Sequence, residues 1–166
     1  MERAFEYCPR LTYKAIDLPD LGKVTSMDYM FSLDTAFNGA IGDWDVSSVI
    51  SMVGTFQNAK AFNQPLDNWD VSNVKNMNYM FNTAHSFNQD LNNWDVSKVE
   101  NMSFMFRGAI SFNGQISSWD ISSVNEIKGM FEYAHVFNQP LGDWDTGHLT
   151  NLESMFAGTQ AFNQDI

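Results

Sequence analysis

The residues best placed to do chemistry are carboxylates in register. Asp45, Asp70, Asp95, Asp120 and Asp145 recur every 25 residues. If repeats stack, equivalent side chains lie roughly 4.8 Å apart. Two like charges at that distance repel by about 1 kcal/mol in water, and by more beside a low-dielectric surface. Two arrangements offset the repulsion. In Asp-x-Ser the carboxylate accepts the backbone N–H two residues on, an Asx-turn. Alternatively, calcium bridges neighbouring carboxylates at Ca–O distances of about 2.3–2.6 Å. Calcium takes six to eight oxygens, so one column would need waters and neighbours such as Asp43 or Asp143. The five aspartates are thus candidate calcium ligands, with turn capping the leading expectation.

A second column is Asn38, Asn63, Asn88, Asn113, Asn138 and Asn163. Carboxamides both donate and accept, so a stacked ladder at a turn could satisfy backbone groups that no strand reaches. His85 and His135 share a repeat position but stand two repeats apart, roughly 10 Å, too far to share a metal ion; His148 is isolated. Tyr29, Tyr79 and Phe104 share another position, occupied elsewhere by Gly54, Gly129 and Ser154. They are expected to be partly buried, the alternative being an exposed aromatic patch for a partner. No nucleophile–base pair, paired acids, phosphate loop or zinc spacing is present. Ser72 recurs in nearly every unit, as a scaffold residue does, whereas catalysis needs one asymmetric site. The expectation is a protein that is not an enzyme and needs no cofactor.

These columns imply the element that positions them. Trp44, Trp69, Trp94, Trp119 and Trp144 keep the same interval, as does Phe31 with Phe56, Phe81, Phe106, Phe131 and Phe156. A fixed period of this size signals stacked repeats. Residues 1–23 read as a degenerate capping coil, in which Ile16 keeps register while Pro19 replaces the tryptophan and charges such as Lys14 meet water. Residues 24–166 read as the array, its last unit incomplete. Within a unit, Met77, Met80, Phe81 and Ala84 are spaced as one face of a short helix, with Asn76 as its N-cap. Phe87-Asn88-Gln89 reads as a turn. Asn93-Trp94-Asp95-Val96-Ser97 alternates polar and apolar residues and reads as a short strand with Trp94 and Val96 inward. One long helix through all the apolar positions is the rival, disfavoured by the Asn-rich middle and by Pro65 and Pro140.

Charge excludes some functions. Twenty Asp and Glu oppose nine Lys and Arg, a net charge of −11. Nucleic-acid binding needs clustered Lys and Arg and is not expected. No apolar run approaches the ~20 residues of a membrane span. Cys8 is the only cysteine, so no intramolecular disulfide can form. No apolar signal segment opens the chain. Ice binding is disfavoured because Thr-x-Thr rows are missing and the candidate face is acidic. The final residues, with Met155, Phe156, Phe162 and Ile166 expected to be exposed, favour end-to-end self-association or fraying.

The unit Trp69-Asp70-Val71-Ser72, Met77, Met80-Phe81, Ala84, Phe87-Asn88-Gln89 and Leu91 resembles the BspA-type surface-protein repeat over residues 24–166. Thr55, Gly114 and Thr146-Gly147 depart from it. The resemblance implies an α/β fold: a right-handed, leucine-rich-repeat-like solenoid with one short parallel strand and one short helical segment per 25-residue coil. It also implies a cell-surface or extracellular location and a part in adhesion, with no catalytic residues. The expected function is a binding module for a protein or glycan partner. Its face would run through Asn68, Asp70, Ser72, Asn93, Asp95, Ser97 and Asp120, with Tyr29, Tyr79 and Phe104 alongside. The alternative is a spacer, coat or filament element without a ligand.

Overall fold

A computed structural model describes residues 1–11 and 17–165. Lys14, Ile16 and Ile166 lie outside that range. The repeats stack, but not through the expected elements. Among the described residues there is no helix, and strand pairing is confined to four isolated parallel bridges, Ser26–Ser51, Ser51–Asn76, Asn76–Asn101 and Asn101–Glu126. The expected α/β solenoid of helical segments and parallel strands is therefore corrected.

The helical reading fails because the backbone spends its donors elsewhere. The N–H groups of Met77, Tyr79, Phe81 and Thr83 donate to the carbonyls of Asn101, Ser103, Met105 and Arg107 in the next repeat, at 2.7–3.0 Å. Those of Met80, Asn82 and Ala84 donate to Met77, Tyr79 and Phe81, three residues back. The segment is a run of overlapping turns. Two residues in each copy lie in the left-handed region, Tyr79 at φ 58° and Thr83 at φ 55°. A left-handed residue costs about 1–2 kcal/mol within a right-handed helix and breaks it. Overlapping turns still bury a helix-like spacing: Met77, Met80, Phe81 and Ala84 are all fully buried. Asn76 does cap, but it caps a turn, its Oδ1 accepting the N–H of Asn78 at 3.0 Å.

This arrangement aligns peptide groups along the stack. Between Ser51 and Met52, the carbonyl accepts from Met27 in the preceding repeat while the N–H donates to Asn76 in the next. The peptides at 53–54, 55–56 and 57–58 repeat this direction, accepting from Tyr29, Phe31 and Leu33 and donating to Asn78, Met80 and Asn82. Residues 1–8 join the same system. The amino group of Met1 donates to Ser26, and the N–H groups of Arg3, Phe5 and Tyr7 donate to the carbonyls of Asp28, Met30 and Ser32.

The strand reading of Asn93–Ser97 also fails, although its inward and outward assignment holds. Trp94 and Val96 are buried and Asn93 and Asp95 are exposed. The alternation comes from two turns, closed by Trp94 N–H on Leu91 and Val99 N–H on Val96. Tryptophan is fixed from behind as well: the indoles of Trp69, Trp94 and Trp119 donate to the carbonyls of Ile41, Leu66 and Leu91 in the preceding repeat at 2.8–3.0 Å. Phenylalanine forms two columns. Phe56, Phe81 and Phe106 stack at 5.4–5.5 Å between centroids, and Phe62, Phe87 and Phe112 at 5.9–6.0 Å. Within a repeat the two rings sit closer, 4.0 Å for Phe81 and Phe87. Offset stacks of this kind add about 0.5–1.5 kcal/mol per pair beyond area burial.

Candidate functional site

The outer rim of each Asp-x-Ser turn is the most regular polar feature of the surface. Asp70, Asp95 and Asp120 are exposed, and each Oδ1 accepts the N–H two residues on, from Ser72, Ser97 and Ser122, at 3.0 Å. Asp45 accepts both the N–H and the hydroxyl of Ser47, at 3.1 and 2.6 Å. Where serine gives way to glycine the turn survives, with Gly147 N–H on Asp145 at 3.1 Å. The serine hydroxyl, and then the backbone N–H, hold the carboxyls of Asp45, Asp95 and Asp120 below the usual carboxylate range. The turn bonds thus outweigh the repulsion between neighbours, which Asp95 still feels from Asp120. Among the described residues no group of three or more His, Cys, Asp or Glu side chains converges where it could hold a metal ion.

The asparagines form a chain of bonds between repeats. The Oδ1 of Asn38 accepts the N–H of Asn63, and the same step recurs from Asn63 to Asn88, Asn113, Asn138 and Asn163, at 2.8–2.9 Å. Gln64, Gln89 and Gln164 donate their Nε2 to the Oδ1 of Asn38, Asn63 and Asn138 at 2.8–3.1 Å. These amides are committed to the stack. His148 sets its Nε2 2.9 Å from the carbonyl of Val124. Burial, and then the nearby Lys60, lowers the pKa of His85.

Tyr29, Tyr79 and Phe104 are half-buried and all left-handed, at φ 55–59°. Tyr79 and Phe104 stack at 5.0 Å. Tyr29 and Phe104 lean over glycines of the next repeat. A Cβ added to Gly54 would lie 2.6 Å from the Tyr29 ring, and one on Gly129 would lie 2.6 Å from the Phe104 ring. Arg3 and Arg107 cover Tyr29 and Phe104, 4.8 and 5.8 Å from the ring centroids. Arg107 also pairs with Glu132 at 2.6 Å.

Among the described residues, depressions beside the rim include three broad ones. One of about 470 Å³ is lined by Pro65, Asp67, Gln89, Asp90, Asn92, Asn93 and Gln115. A second, of about 360 Å³, runs past Ser117, Ser118, Asp120, Asp143 and Asp145. A third, of about 560 Å³, takes in Ser47, Ser48, Asn73, Lys75 and Lys98. Of the expected face, Asn93 lines the first and Asp120 the second. Asn68, Asp70, Ser72, Asp95 and Ser97 line none of the three. The aromatic position also contributes to none. Sequence reasoning therefore found the rim but not the concavities beside it. The contributions of Gln89, Asp90, Asn92 and Gln115 depend on how adjacent turns approach. Gln115 N–H donates to Asp90 and Leu91 N–H to Gln115, joining those two repeats here.

Stacked repeats with a shared core, no helix among the described residues and a periodic polar rim define the protein as a repeat-array protein. A family model described as "Mycoplasma protein of unknown function, DUF285" matches residues 1–109 and again residues 89–166, and the chain belongs to that family. No curated protein and no solved structure matches it. No helix among the described residues is long and apolar enough to cross a membrane.

Proposed function

We propose that this chain is a non-catalytic binding module of the BspA type, displayed at the cell surface or outside the cell, where it engages a protein or glycan in adhesion. The carrying observation is the exposed rim of Asn68, Asp70, Asn93, Asp95 and Asp120, set on a buried Trp and Val or Ile scaffold that changes little between repeats. Fixed carboxylates and carboxamides at a regular spacing suit a partner rich in hydroxyls or N–H groups. The rim is acidic, so a nucleic acid is not the partner in this reading. Binding by a set of extracellular-matrix proteins and surface glycans tests it, with Asn68→Lys/Asn93→Lys as the control. Those side chains are exposed, so melting should be unchanged while binding falls at least about tenfold, or 1.4 kcal/mol. Equal binding by the control, or none by the wild type, defeats the proposal. Surface labelling of intact cells tests the location.

A structural element without a ligand is the second reading, in which copies associate end to end. Its support is the axial hydrogen bonding, which runs from Arg3 to the Tyr133–Ala157 pair. Concentration-dependent polymers without any ligand would favour it, and a monomer at every concentration would remove it.

A further inference from the structure

Asp34 occupies a position that the next four repeats give to alanine: Ala59, Ala84, Ala109 and Ala134, all fully buried. In the last repeat it is Thr159, whose hydroxyl donates to the carbonyl of Phe131. Asp34 is equally buried, at 0% exposure, and is the one ionisable side chain among the buried described residues. Its Oδ1 accepts the N–H of Cys8, in the segment that stacks on this repeat, while its Oδ2 has no partner. A buried carboxylate with an unanswered oxygen opposes folding, since ionising it away from water is unfavourable. No gain to the array itself explains the residue. It lies where residues 1–8 meet the first regular repeat.

We propose that Asp34 is a pH-sensitive latch that holds residues 1–8 onto the stack, closed when its carboxyl is protonated and loosened when it ionises. The groups facing it act in opposite directions, with burial dominant. Glu6, on the docked segment, adds a second negative charge, drawn off by Arg3 at 2.8 Å. Cys8 supplies only a backbone N–H to the carboxyl, its exposed thiol lying 3.9 Å from the carbonyl of Glu6. In the next repeat its position is taken by buried, apolar Ala59, followed by exposed Lys60. Burial pushes the Asp34 carboxyl up to about 6; the Cys8 N–H, next in size, lowers it, and Glu6 adds a smaller rise. Releasing residues 1–8 opens the carboxyl to water and returns it to the ordinary range near 3.8. A docked-state value raised in this way favours docking fully below the ordinary value, and the advantage is lost as pH rises through the docked value. Release would uncover Phe31, on which Phe5 stacks at 5.5 Å, and the carbonyls of Asp28, Met30 and Ser32. All three carbonyls are then free to accept from another strand.

Hydrogen exchange on the whole chain tests the latch. The amides of Arg3, Phe5 and Tyr7 report docking, and those of Tyr79 and Phe81 in mid-array serve as the internal reference. From pH 5 to pH 7.5 the referenced protection of the first three should fall about tenfold in the wild type, the factor for a carboxyl moved between those two values. In Asp34→Asn, which keeps an acceptor for Cys8, and in Asp34→Ala, which restores the column residue, protection should be independent of pH. Asp34→Ala should also be the better protected at pH 7.5. A flat wild-type profile, or a pH dependence that survives in both variants, overturns the proposal.

Discussion

Gly129→Ala separates the observed backbone from the helical one by the sign of its effect. In a helix the change is stabilising by about 1 kcal/mol, because alanine has the higher propensity. Here Gly129 sits at φ +58°, and its Cβ would come within 2.6 Å of Cε1 and 2.7 Å of Cδ1 of Phe104. The left-handed conformation costs a Cβ-bearing residue about 1–2 kcal/mol. Displacing the Phe104 ring adds roughly 1 kcal/mol, at the low end of overpacking because the ring is only half-buried. The sum is a loss of about 2–3 kcal/mol. Urea denaturation at equilibrium reads it as a lower midpoint at unchanged slope. Phe104→Ala/Gly129→Ala isolates the steric part: the double variant should lose less than the two single losses added together, by roughly 1 kcal/mol of coupling. Because Tyr29, Tyr79 and Phe104 are themselves left-handed, the site tolerates a side chain when the neighbouring repeat leaves room. A stabilised Gly129→Ala would refute the reasoning, since it would mean that the segment is helical after all.

Trp94→Ala should cost about 3–5 kcal/mol, the range for a buried large aromatic, because Trp94 is 3% exposed and bonded to Leu66. A melting temperature within a degree or two of wild type would contradict the stacked core. Asn88→Ala removes the acceptor for Asn113 N–H at 2.8 Å and should cost about 0.5–1.5 kcal/mol, whereas Asn88→Asp keeps an acceptor oxygen and should recover much of that loss; chemical denaturation of the pair checks this, and an Ala variant equal to wild type means that water replaces the amide. Millimolar calcium should leave the melting temperature unchanged, since the Asp Oδ1 atoms already accept from Ser47, Ser72, Ser97 and Ser122; a rise of many degrees with calcium and none with magnesium would reveal a site, because a ligand of the folded state alone raises stability.

Much of the architecture is legible in the sequence because burial repeats. Trp94, Phe81, Phe87, Leu91 and Met77 are assigned to the core from spacing alone, and they are fully or nearly fully buried. The Asp-x-Ser turns and the asparagine ladder are legible too, because short polar side chains bond locally or to their own copies. What misleads is the assumption that apolar residues at i, i+3, i+4 and i+7 require a helix. A run of overlapping turns buries the same positions. The contrary signal is present in the sequence: Gly54, Asn58, Gly108, Gly129 and Gly158 all fall inside the supposed helix. Glycine and asparagine are the residues that enter the left-handed region most readily. The strand reading errs similarly. Polar–apolar alternation over five residues shows which side chains face inward and leaves open whether the backbone pairs with a neighbour. The concavities and the Asp34 contact were not legible, since both depend on how neighbouring segments approach.

The same logic bears on where recognition can be written. Each repeat gives its axial N–H and C=O groups, its two phenylalanines, its indole and its asparagine to the repeats beside it. None of these can vary without disturbing two interfaces at once, which is how nearest-neighbour stability works in repeat arrays. Variation is left to side chains outside this set, even where the residue still bonds across repeats, as Ser118 does to Asn92 and the Lys60 carbonyl to Ser86 N–H. One such position reads Asp43, Asn68, Asn93, Ser118 and Asp143, and another reads Thr35, Lys60, His85, Ile110 and His135. The first lies on the rim proposed as the binding face and changes only among small polar and acidic residues, whereas the second changes charge and polarity without pattern. A partner reading a regular surface would select the first kind of position. That contrast, rather than any single side chain, supports the rim as the proposed binding face.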